Sequence, residues 1–189
     1  MVSKNKRLLQ RVRVPLGFVF AVLFVIFSRP SVISMTVGGV VVLIGLLIRS
    51  WASGHIRKAR VLAISGPYAY TRNPLYLGSA FLGAGFAVAA GVWWLVLLFL
   101  VLYMSIYLPV MRVEETDIRN IFGEEYNEYK ANVPLFLPRL TPWKKTGTKF
   151  DFQLYLHHRE YRAALGFGIA LALLAAKAPV LNWVYETFL

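Results

Sequence analysis

The chain alternates between long apolar stretches and short polar connections. Five stretches carry few or no charges: Val14–Ser28, Val32–Ile48, Leu75–Ala90, Val92–Val110 and Ala163–Val180. A helix needs about 17–25 apolar residues to cross a bilayer. No stretch alternates apolar and polar residues for long, as a membrane strand would. The pattern therefore predicts an all-α integral membrane protein with about five transmembrane helices.

Short turns join these stretches in pairs. Ser28, Arg29 and Pro30 separate the first two, which predicts an N-terminal transmembrane hairpin over residues 14–48, and Ala90–Gly91 joins the third and fourth. Of the 189 residues, 58% are hydrophobic, against about 45–50% in soluble domains. We expect one membrane domain, residues 1–189.

Charge orients the helices. The chain has 21 Lys and Arg against 9 Asp and Glu, and only Arg29 and Lys177 lie in connections predicted to be outside. The rest fall in residues 4–13, 49–72 and 112–162. The positive-inside rule therefore predicts a multi-pass protein with a cytoplasmic N-terminus and an external C-terminus. Contact with anionic lipid accounts for the net charge of +12, so the predicted partner is the membrane and not nucleic acid.

The residues that commonly hold metals are few. Cysteine is absent, which excludes disulfides and thiolate sites. Of the three histidines, His157 and His158 are adjacent and point to different sides of a helix, while His55 is isolated. We expect structural or interfacial roles for them and no metal site.

A polar motif, S-G-P-Y-A-Y-T-R-N-P-L-Y-L-G, stands at the start of the third apolar stretch. Pro74 suits the first position of a helix, and Asn73 suits the N-cap. The free N–H groups of that helix start, beside Arg72, predict a site for a carboxylate or phosphate at the cytoplasmic surface. Interfacial anchoring by tyrosine and arginine is the alternative.

A second polar motif, E-E-T-D, follows the fourth apolar stretch. Eight of the nine acidic residues lie between Glu114 and Glu160. A solvated helix face with a Glu115–Arg119 pair is one interpretation. The residues that follow predict an amphipathic cytosolic helix, in which Gly123 marks a break or a close approach. Its apolar face contains Ile118, Ile121, Phe122, Tyr126 and Tyr129.

Together the two motifs form a site with opposite charges at its two ends. A zwitterionic ligand would place its carboxylate near Arg72 and Asn73 and its cationic or ribose end near Glu114. S-adenosylmethionine fits that description.

The two motifs also resemble a known family. G-P-Y-A-Y-T-R-N-P-L-Y-L-G, followed by E-E-T-D-I-R-N-I-F-G-E-E-Y-N-E-Y-K-A-N-V-P, is similar to the isoprenylcysteine carboxyl methyltransferase family and its phospholipid methyltransferase relatives, in their prokaryote-type integral membrane form. The resemblance covers about Arg57 to Leu140. It implies a methyltransferase core over residues 57–140, with S-adenosylmethionine as cofactor, and a C-terminal extension over residues 141–189 that contains the fifth helix.

The resemblance also implies site residues. The cofactor would be bound by Leu62, Ala63, Tyr68, Arg72, Asn73, Pro74, Leu75, Tyr76, Glu114 and Glu115. Asn73 replaces the histidine that is usual in the family and cannot carry a titratable charge. Arg112 is the candidate for contact with an acceptor carboxylate, and its alternative role is to extend to the membrane surface.

The acceptor is expected to be a lipid or another lipophilic molecule that enters from the bilayer. Small residues on the third helix either leave room for its tail or serve close helix packing, which we favour: Gly78, Ser79, Gly83, Ala84 and Gly85. Two other functions fit the pattern less well. They are an NADPH-dependent, sterol-reductase-like membrane enzyme and a non-catalytic membrane scaffold.

Overall fold

The described part of the chain is helical. The computed structural model describes residues 19–24, 26–57, 61–144 and 147–188, and these contain no strand. Helical residues 19–24 and 26–27 come first. Then follow α1 (Val32–Ser53), a 3₁₀ turn (Gly66–Ala69), α2 (Pro74–Ala89), α3 (Trp93–Asn132), α4 (Phe152–His158) and α5 (Tyr161–Phe188). The all-α prediction is confirmed for these residues. The basic residues 4–13 and the first part of the predicted span Val14–Ser28 lie outside them.

Two helices in the described residues are long and apolar enough to cross a membrane, α1 and α3. At about 1.5 Å per residue, the 22 residues of α1 match a hydrocarbon core of about 30 Å. Helix α2 is apolar but has only 16 residues. Large apolar side chains point outward along α1, α3 and α5, among them Val40, Leu47, Leu97, Val101, Leu165 and Ile169. Such surfaces are typical of contact with lipid. The count of five spanning helices remains a prediction.

Helices α1 and α2 pack backbone to backbone. A Cβ atom on Gly85 would lie 2.7 Å from the carbonyl oxygen of Gly38, and a Cβ atom on Gly45 would lie 2.7 Å from that of Gly78. These distances are too short for a real Cβ, so glycine permits the close approach. The small residues of α2 therefore have two roles. Gly78 and Gly85 serve packing against α1, whereas Ser79 and Gly83 face a cavity described below.

The two predicted turns meet at one end of the helices. The Arg29 amide donates to the Ala90 carbonyl oxygen at 2.7 Å, and Gly91 takes a φ of 72° in the second turn. The Lys177 ammonium group of α5 donates to the Ser28 carbonyl oxygen at 2.9 Å. These contacts place the turns on the same side, as the predicted hairpins require.

Helix α3 has two parts, which are divided at Gly123. The part before Gly123, from Trp93 to Phe122, extends about 45 Å, more than the hydrocarbon core of about 30 Å, so its end projects beyond the apolar layer. Gly123 breaks the helical geometry with φ 55° and ψ −123°. No atom lies within 4 Å of a Cβ built there, so this glycine marks a break and not a close approach. The helix ends at Asn132, two residues before Pro134.

Candidate functional site

A tight turn carries the first motif. Gly66 begins the 3₁₀ turn with a φ of 56°, and a Cβ there would lie 2.6 Å from the His55 imidazole. The His55 Nδ1 atom lies 3.1 Å from the Ser65 hydroxyl. Burial lowers the pKa of His55 from its ordinary value of 6.5, which favours the neutral ring. His55 therefore supports the turn that presents Tyr68.

Residues 133–143 cover the same turn. The Arg72 amide donates to the Pro134 carbonyl oxygen at 2.9 Å, and the Arg139 amide donates to the Tyr70 carbonyl oxygen at 3.0 Å. Backbone pairing of this kind fixes a loop that would otherwise expose its polar groups. The two motifs are thus held together by the segment after α3.

Helix α2 begins where the sequence predicts. Pro74 is its first residue and Asn73 occupies the N-cap position. The Asn73 side chain makes no capping hydrogen bond and instead donates from Nδ2 to the Leu135 carbonyl oxygen at 3.0 Å. The position of Asn73 was predicted correctly. The predicted capping bond is not made, because the Asn73 side chain is bonded to the segment 133–143 instead.

The two motifs line one cavity of about 460 Å³, which we call the motif cavity. Binding sites for small molecules occupy about 300–1,000 Å³. Nine residues proposed from the sequence line it: Leu62, Ala63, Tyr68, Arg72, Asn73, Leu75, Tyr76, Glu114 and Glu115. Pro74 is buried behind them, and Arg112 is exposed and outside the lining.

Glu115 belongs to the wall of the motif cavity. Its carboxylate accepts from Arg72 Nη1 at 2.9 Å and from Lys130 Nζ at 2.5 Å. The same Arg72 nitrogen donates to the Tyr126 hydroxyl at 3.2 Å. In the described chain Glu115 is therefore paired with Arg72 and Lys130 and not with Arg119. The Arg72 pair joins α3 to the first motif, and the Lys130 pair joins the parts of α3 on either side of Gly123.

Glu114 is placed differently from its neighbour. One of its oxygens accepts from the Tyr76 hydroxyl at 2.8 Å, and its side chain is half-buried in the cavity lining. No ion pair with Glu114 is present among the described residues. Among the described residues, its carboxylate thus borders the cavity and is bonded to the neutral Tyr76 hydroxyl, not to a cation.

Two buried donors in the lining have no hydrogen-bond partner among the described residues. They are the Tyr68 hydroxyl and the Arg72 Nε–H. Tyr68 is 5% exposed, and burial raises the pKa of its hydroxyl well above the usual range, so the group is a proton donor at neutral pH. An unsatisfied buried polar group costs about 1–3 kcal/mol. Both donors are therefore unsatisfied in the described chain, and both belong to residues that line the cavity.

Several lining residues were not identified as site residues from the sequence. They are Ile56, Arg57, Val61, Met111, Asp117, Ile118, Phe122, Tyr126 and Tyr129. Four of them lie on the predicted apolar face of the cytosolic helix, and that helical spacing was the available signal. The Tyr129 hydroxyl donates to the Tyr68 carbonyl oxygen at 2.8 Å. Ile121, placed on the same face, is instead 58% exposed.

A second cavity, of about 430 Å³, lies between the helices, and we call it the interhelical cavity. It is lined by Phe20, Arg49, Ser79, Leu82, Gly83, Phe99, Leu102, Tyr103, Ile106, Tyr107, Ala163 and Phe167. The Tyr103 hydroxyl donates to the Tyr76 carbonyl oxygen at 2.6 Å, and the rings of Tyr76 and Tyr107 are 5.5 Å apart. The first turns of α2 thus separate the two cavities.

Metal ligands do not gather in the described residues, where no group of three or more His, Asp and Glu residues could hold an ion.

Curated relatives cover part of this architecture. The chain is 33% identical over 147 residues to the cobalt-zinc-cadmium resistance protein CzcN of Cupriavidus metallidurans, covering 72% of this chain and 66% of that protein. It is 30% identical over 81 residues to the protein-S-isoprenylcysteine O-methyltransferase of Schizosaccharomyces pombe, covering 43% of this chain and 34% of that protein. The nickel-cobalt-cadmium resistance protein NccN of Alcaligenes xylosoxydans xylosoxydans is 29% identical over 117 residues, covering 60% and 54%. The chain thus spans between about a third and two thirds of the length of these relatives.

No solved structure matches this chain. The family comparison, in contrast, covers more than half of it. The model of the phospholipid methyltransferase family matches residues 16–125, a range that contains the first motif and both glutamates of the second. The predicted resemblance is confirmed, and the chain belongs to the phospholipid methyltransferase family.

Proposed function

We propose that the protein is an integral membrane methyltransferase that transfers a methyl group from S-adenosylmethionine to a lipophilic acceptor at the cytosolic face of the membrane. Family membership and the two apolar helices α1 and α3 support the reaction class and the membrane setting. The multi-pass topology, with the N-terminus inside and the C-terminus outside, is part of the proposal.

The arrangement of charges in the motif cavity carries the proposal. Unpartnered donors from Tyr68 and Arg72 and the carboxylate of Glu114 line the same space. The donors match the carboxylate of an amino-acid-like ligand, and Glu114 matches its ammonium group. The remaining lining is mostly apolar, with Leu62, Leu75 and aromatic rings available for an adenine ring. The residues present therefore fit S-adenosylmethionine.

The chemistry asks little of the protein. When bound, the methyl sulfonium supplies an activated methyl group, and the electron pair of the broken C–S bond stays on sulfur as a neutral thioether. The acceptor provides the electron pair of the new bond. The chain contributes alignment and exclusion of water. Tyr68, Arg72 and Glu114 would fix the two ends of the donor, while the segment 133–143 holds the turn that carries Tyr68 and Arg72.

We assign the acceptor to the interhelical cavity. Its lining is apolar and aromatic, which suits a lipid tail. Only the first turns of α2 separate it from the motif cavity, with Tyr76 on one side and Tyr107 on the other. An acceptor that enters there from the bilayer would place its head group next to the methyl donor.

Calorimetry on the detergent-purified protein tests the cofactor. We expect S-adenosylmethionine and S-adenosylhomocysteine to bind and NADPH not to bind. Binding of NADPH alone would indicate a reductase. If none of the three compounds gives a heat of binding, a non-catalytic scaffold is favoured. Glu125→Gln, an exposed position on the same helix as Glu114, is the matched control and should leave the affinity unchanged.

A further inference from the structure

Helix α5 lies against the other helices along one narrow stripe. Between residues 161 and 177 the side chains that are not exposed recur every three or four positions: Ala163, Phe167, Ala170, Leu171, Leu174 and Lys177. That spacing is one face of a helix. The helix follows the residues that match the family model, 16–125, so its role calls for an explanation of its own.

A charged residue at each end of this stripe is bonded to another segment. Glu160, which directly precedes α5, accepts from Arg49 Nε at 2.9 Å and from Nη2 at 2.8 Å. The third guanidinium nitrogen donates to the Ser79 hydroxyl of α2 at 2.6 Å. At the other end, Lys177 donates to the carbonyl oxygen of Ser28 at 2.9 Å and to its hydroxyl at 2.8 Å. Two polar contacts thus hold α5 at its two ends.

The two halves of α5 cover different things. In the second half, Leu174 is 5% exposed and belongs to a packed cluster with Phe24 and Leu95. In the first half, Ala163 and Phe167 line the interhelical cavity, so this part lies over open space. Helices in a membrane associate through packing and hydrogen bonds, because lipid is as apolar as their side chains. The first half therefore depends mainly on its ion pair.

Two glycines mark the boundary between these halves. Gly166 and Gly168 flank Phe167, and no atom lies within 4 Å of a Cβ built at either glycine. Close packing therefore does not require glycine here, as it does between α1 and α2. Glycine weakens a helix relative to alanine, and helices kink at such positions. The boundary is thus a point at which α5 can bend.

The ion pair of the first half is suited to opening and closing. The side chains of Arg49 and Glu160 are 22% and 12% exposed. Loss of hydration offsets much of the attraction within such a pair. Both charges regain water when the pair separates, so separation costs far less than removal of one partner. The pair can therefore hold the helix closed and still release it.

We propose that the first half of α5, residues 160–167, is a lateral door of the interhelical cavity, with the Arg49–Glu160 pair as its latch and the two glycines as its hinge. The inference rests on the acceptor site of the proposed function and adds the route by which an apolar lipid tail reaches it from the bilayer. The packed second half and Lys177 stay in place while the door opens.

Spin labels measure the opening. The chain contains no cysteine, so labels attach only to introduced ones. Leu47→Cys with Leu165→Cys reports on the first half of α5, and Val37→Cys with Leu173→Cys reports on the second half, all at exposed positions. Distances are measured by pulsed electron resonance in dioleoylphosphatidylcholine nanodiscs. Glu160→Gln should raise the ratio of long to short distances about tenfold in the first pair and leave the second pair unchanged.

The hinge is tested in the same Glu160→Gln protein. Adding Gly166→Ala and Gly168→Ala should reverse most of the rise, because alanine stiffens the helix and meets no neighbour at either position. Gly39→Ala, on α1, also points into open space and is the matched control, which should reverse none of it. Affinity for S-adenosylhomocysteine should be the same in all of these proteins, which shows that the motif cavity is intact.

Entry of a lipid tail is measured with phosphatidylcholine that carries a diazirine on one acyl chain. After illumination, mass spectrometry locates the labelled residues. Glu160→Gln should raise labelling of Leu82 and Phe99, which line the cavity, about tenfold relative to the exposed Leu97.

The outcomes separate the door from the proposed function. Unchanged distances in Glu160→Gln, equal lengthening in both label pairs, or unchanged labelling of the cavity would overturn the door. Equal lengthening would mean that α5 leaves as a whole. None of these measurements contains a methyl donor. Failure of the unmodified protein to bind S-adenosylhomocysteine would therefore overturn the proposed function alone.

Discussion

The motif cavity and the interhelical cavity share the first turns of α2 but hold their charges in different ways. In the motif cavity two buried donors, on Tyr68 and Arg72, have no partner in the described chain. In the interhelical cavity every nitrogen of the Arg49 guanidinium donates a hydrogen bond. A polar ligand can therefore enter the first by adding bonds, whereas the guanidinium of the second already has its bonds within the chain. The first cavity leaves polar groups for a ligand, and the second holds its charge in an internal ion pair.

The comparison is testable because affinity for S-adenosylhomocysteine reports on the motif cavity. A change confined to the interhelical cavity should leave that affinity unchanged.

The largest effect is expected from Glu115→Gln. This change removes the charge that holds Arg72 and Lys130, and breaking a buried ion pair costs about 3 kcal/mol. Stability is measured by titration of the micelle-bound protein with SDS. The exposed Glu128→Gln should cost less than about 1 kcal/mol. A Glu115→Gln protein as stable as the unmodified one would exclude Glu115 as the support of the motif cavity.

The next largest effect is expected from Glu114→Gln, one residue away. It leaves the ion pairs of Glu115 in place and removes the negative charge that faces the cavity, so we expect about a 100-fold loss of S-adenosylhomocysteine affinity with little loss of stability. Glu114→Ala should abolish binding of the cofactor. If calorimetry shows unchanged affinity in both variants, Glu114 is not part of the site.

The opposite roles of these two glutamates show what spacing in a sequence can reveal. The helix start at Pro74 and the turn at Ala90–Gly91 follow from local rules, proline at N1 and glycine in turns. The nine lining residues were proposed from the resemblance of the two motifs to a known family. Such rules act within a few residues and do not depend on the rest of the fold. They do not distinguish Glu114 from Glu115, because that difference comes from Lys130 and Tyr76.

Room for a lipid tail beside Ser79 and Gly83 was one of two interpretations of the small residues on α2, and both residues line the interhelical cavity. The ion pair at this cavity was not predicted, because Arg49 and Glu160 are 111 residues apart in the chain and no periodicity connects them. Their contact arises only when α5 packs against α1. Arg112, the arginine chosen from its place beside the second motif, is exposed. Likewise, the Asn73 side chain was expected to cap α2 but donates to the Leu135 carbonyl oxygen. Leu135 belongs to the segment 133–143, which is distant from Asn73 in the sequence.

A smaller effect, of mixed sign, is expected from Tyr68→Phe. The change removes a buried hydroxyl that has no partner in the described chain. The empty protein should therefore become more stable, by up to about 1 kcal/mol. The affinity for S-adenosylhomocysteine should fall about fivefold, since one donor to the ligand is lost. Equal affinity, measured by calorimetry at the same temperature, would place the hydroxyl outside the ligand contacts.

The smallest effect is expected from a lower pH, and it should alter the motif cavity alone. Burial lowers the pKa of His55 in the folded protein below its ordinary value of 6.5. The unfolded chain therefore takes up a proton at a higher pH than the folded chain does, so this contribution is complete above about pH 6.5 and is lost as the pH falls below it. The ring meets Ser65, Gly66 and Phe150 in the described structure.

Thermal unfolding at pH 7.5 and pH 5.5 measures this contribution, with His55→Gln as the comparison. Glutamine keeps a polar partner for Ser65 but does not titrate in this range. We expect the unmodified protein to lose up to about 1 kcal/mol more stability than the variant between the two pH values. S-adenosylhomocysteine affinity should weaken with it, because the turn at Gly66 presents Tyr68. Equal losses in the two proteins would mean that folding does not lower the pKa of His55.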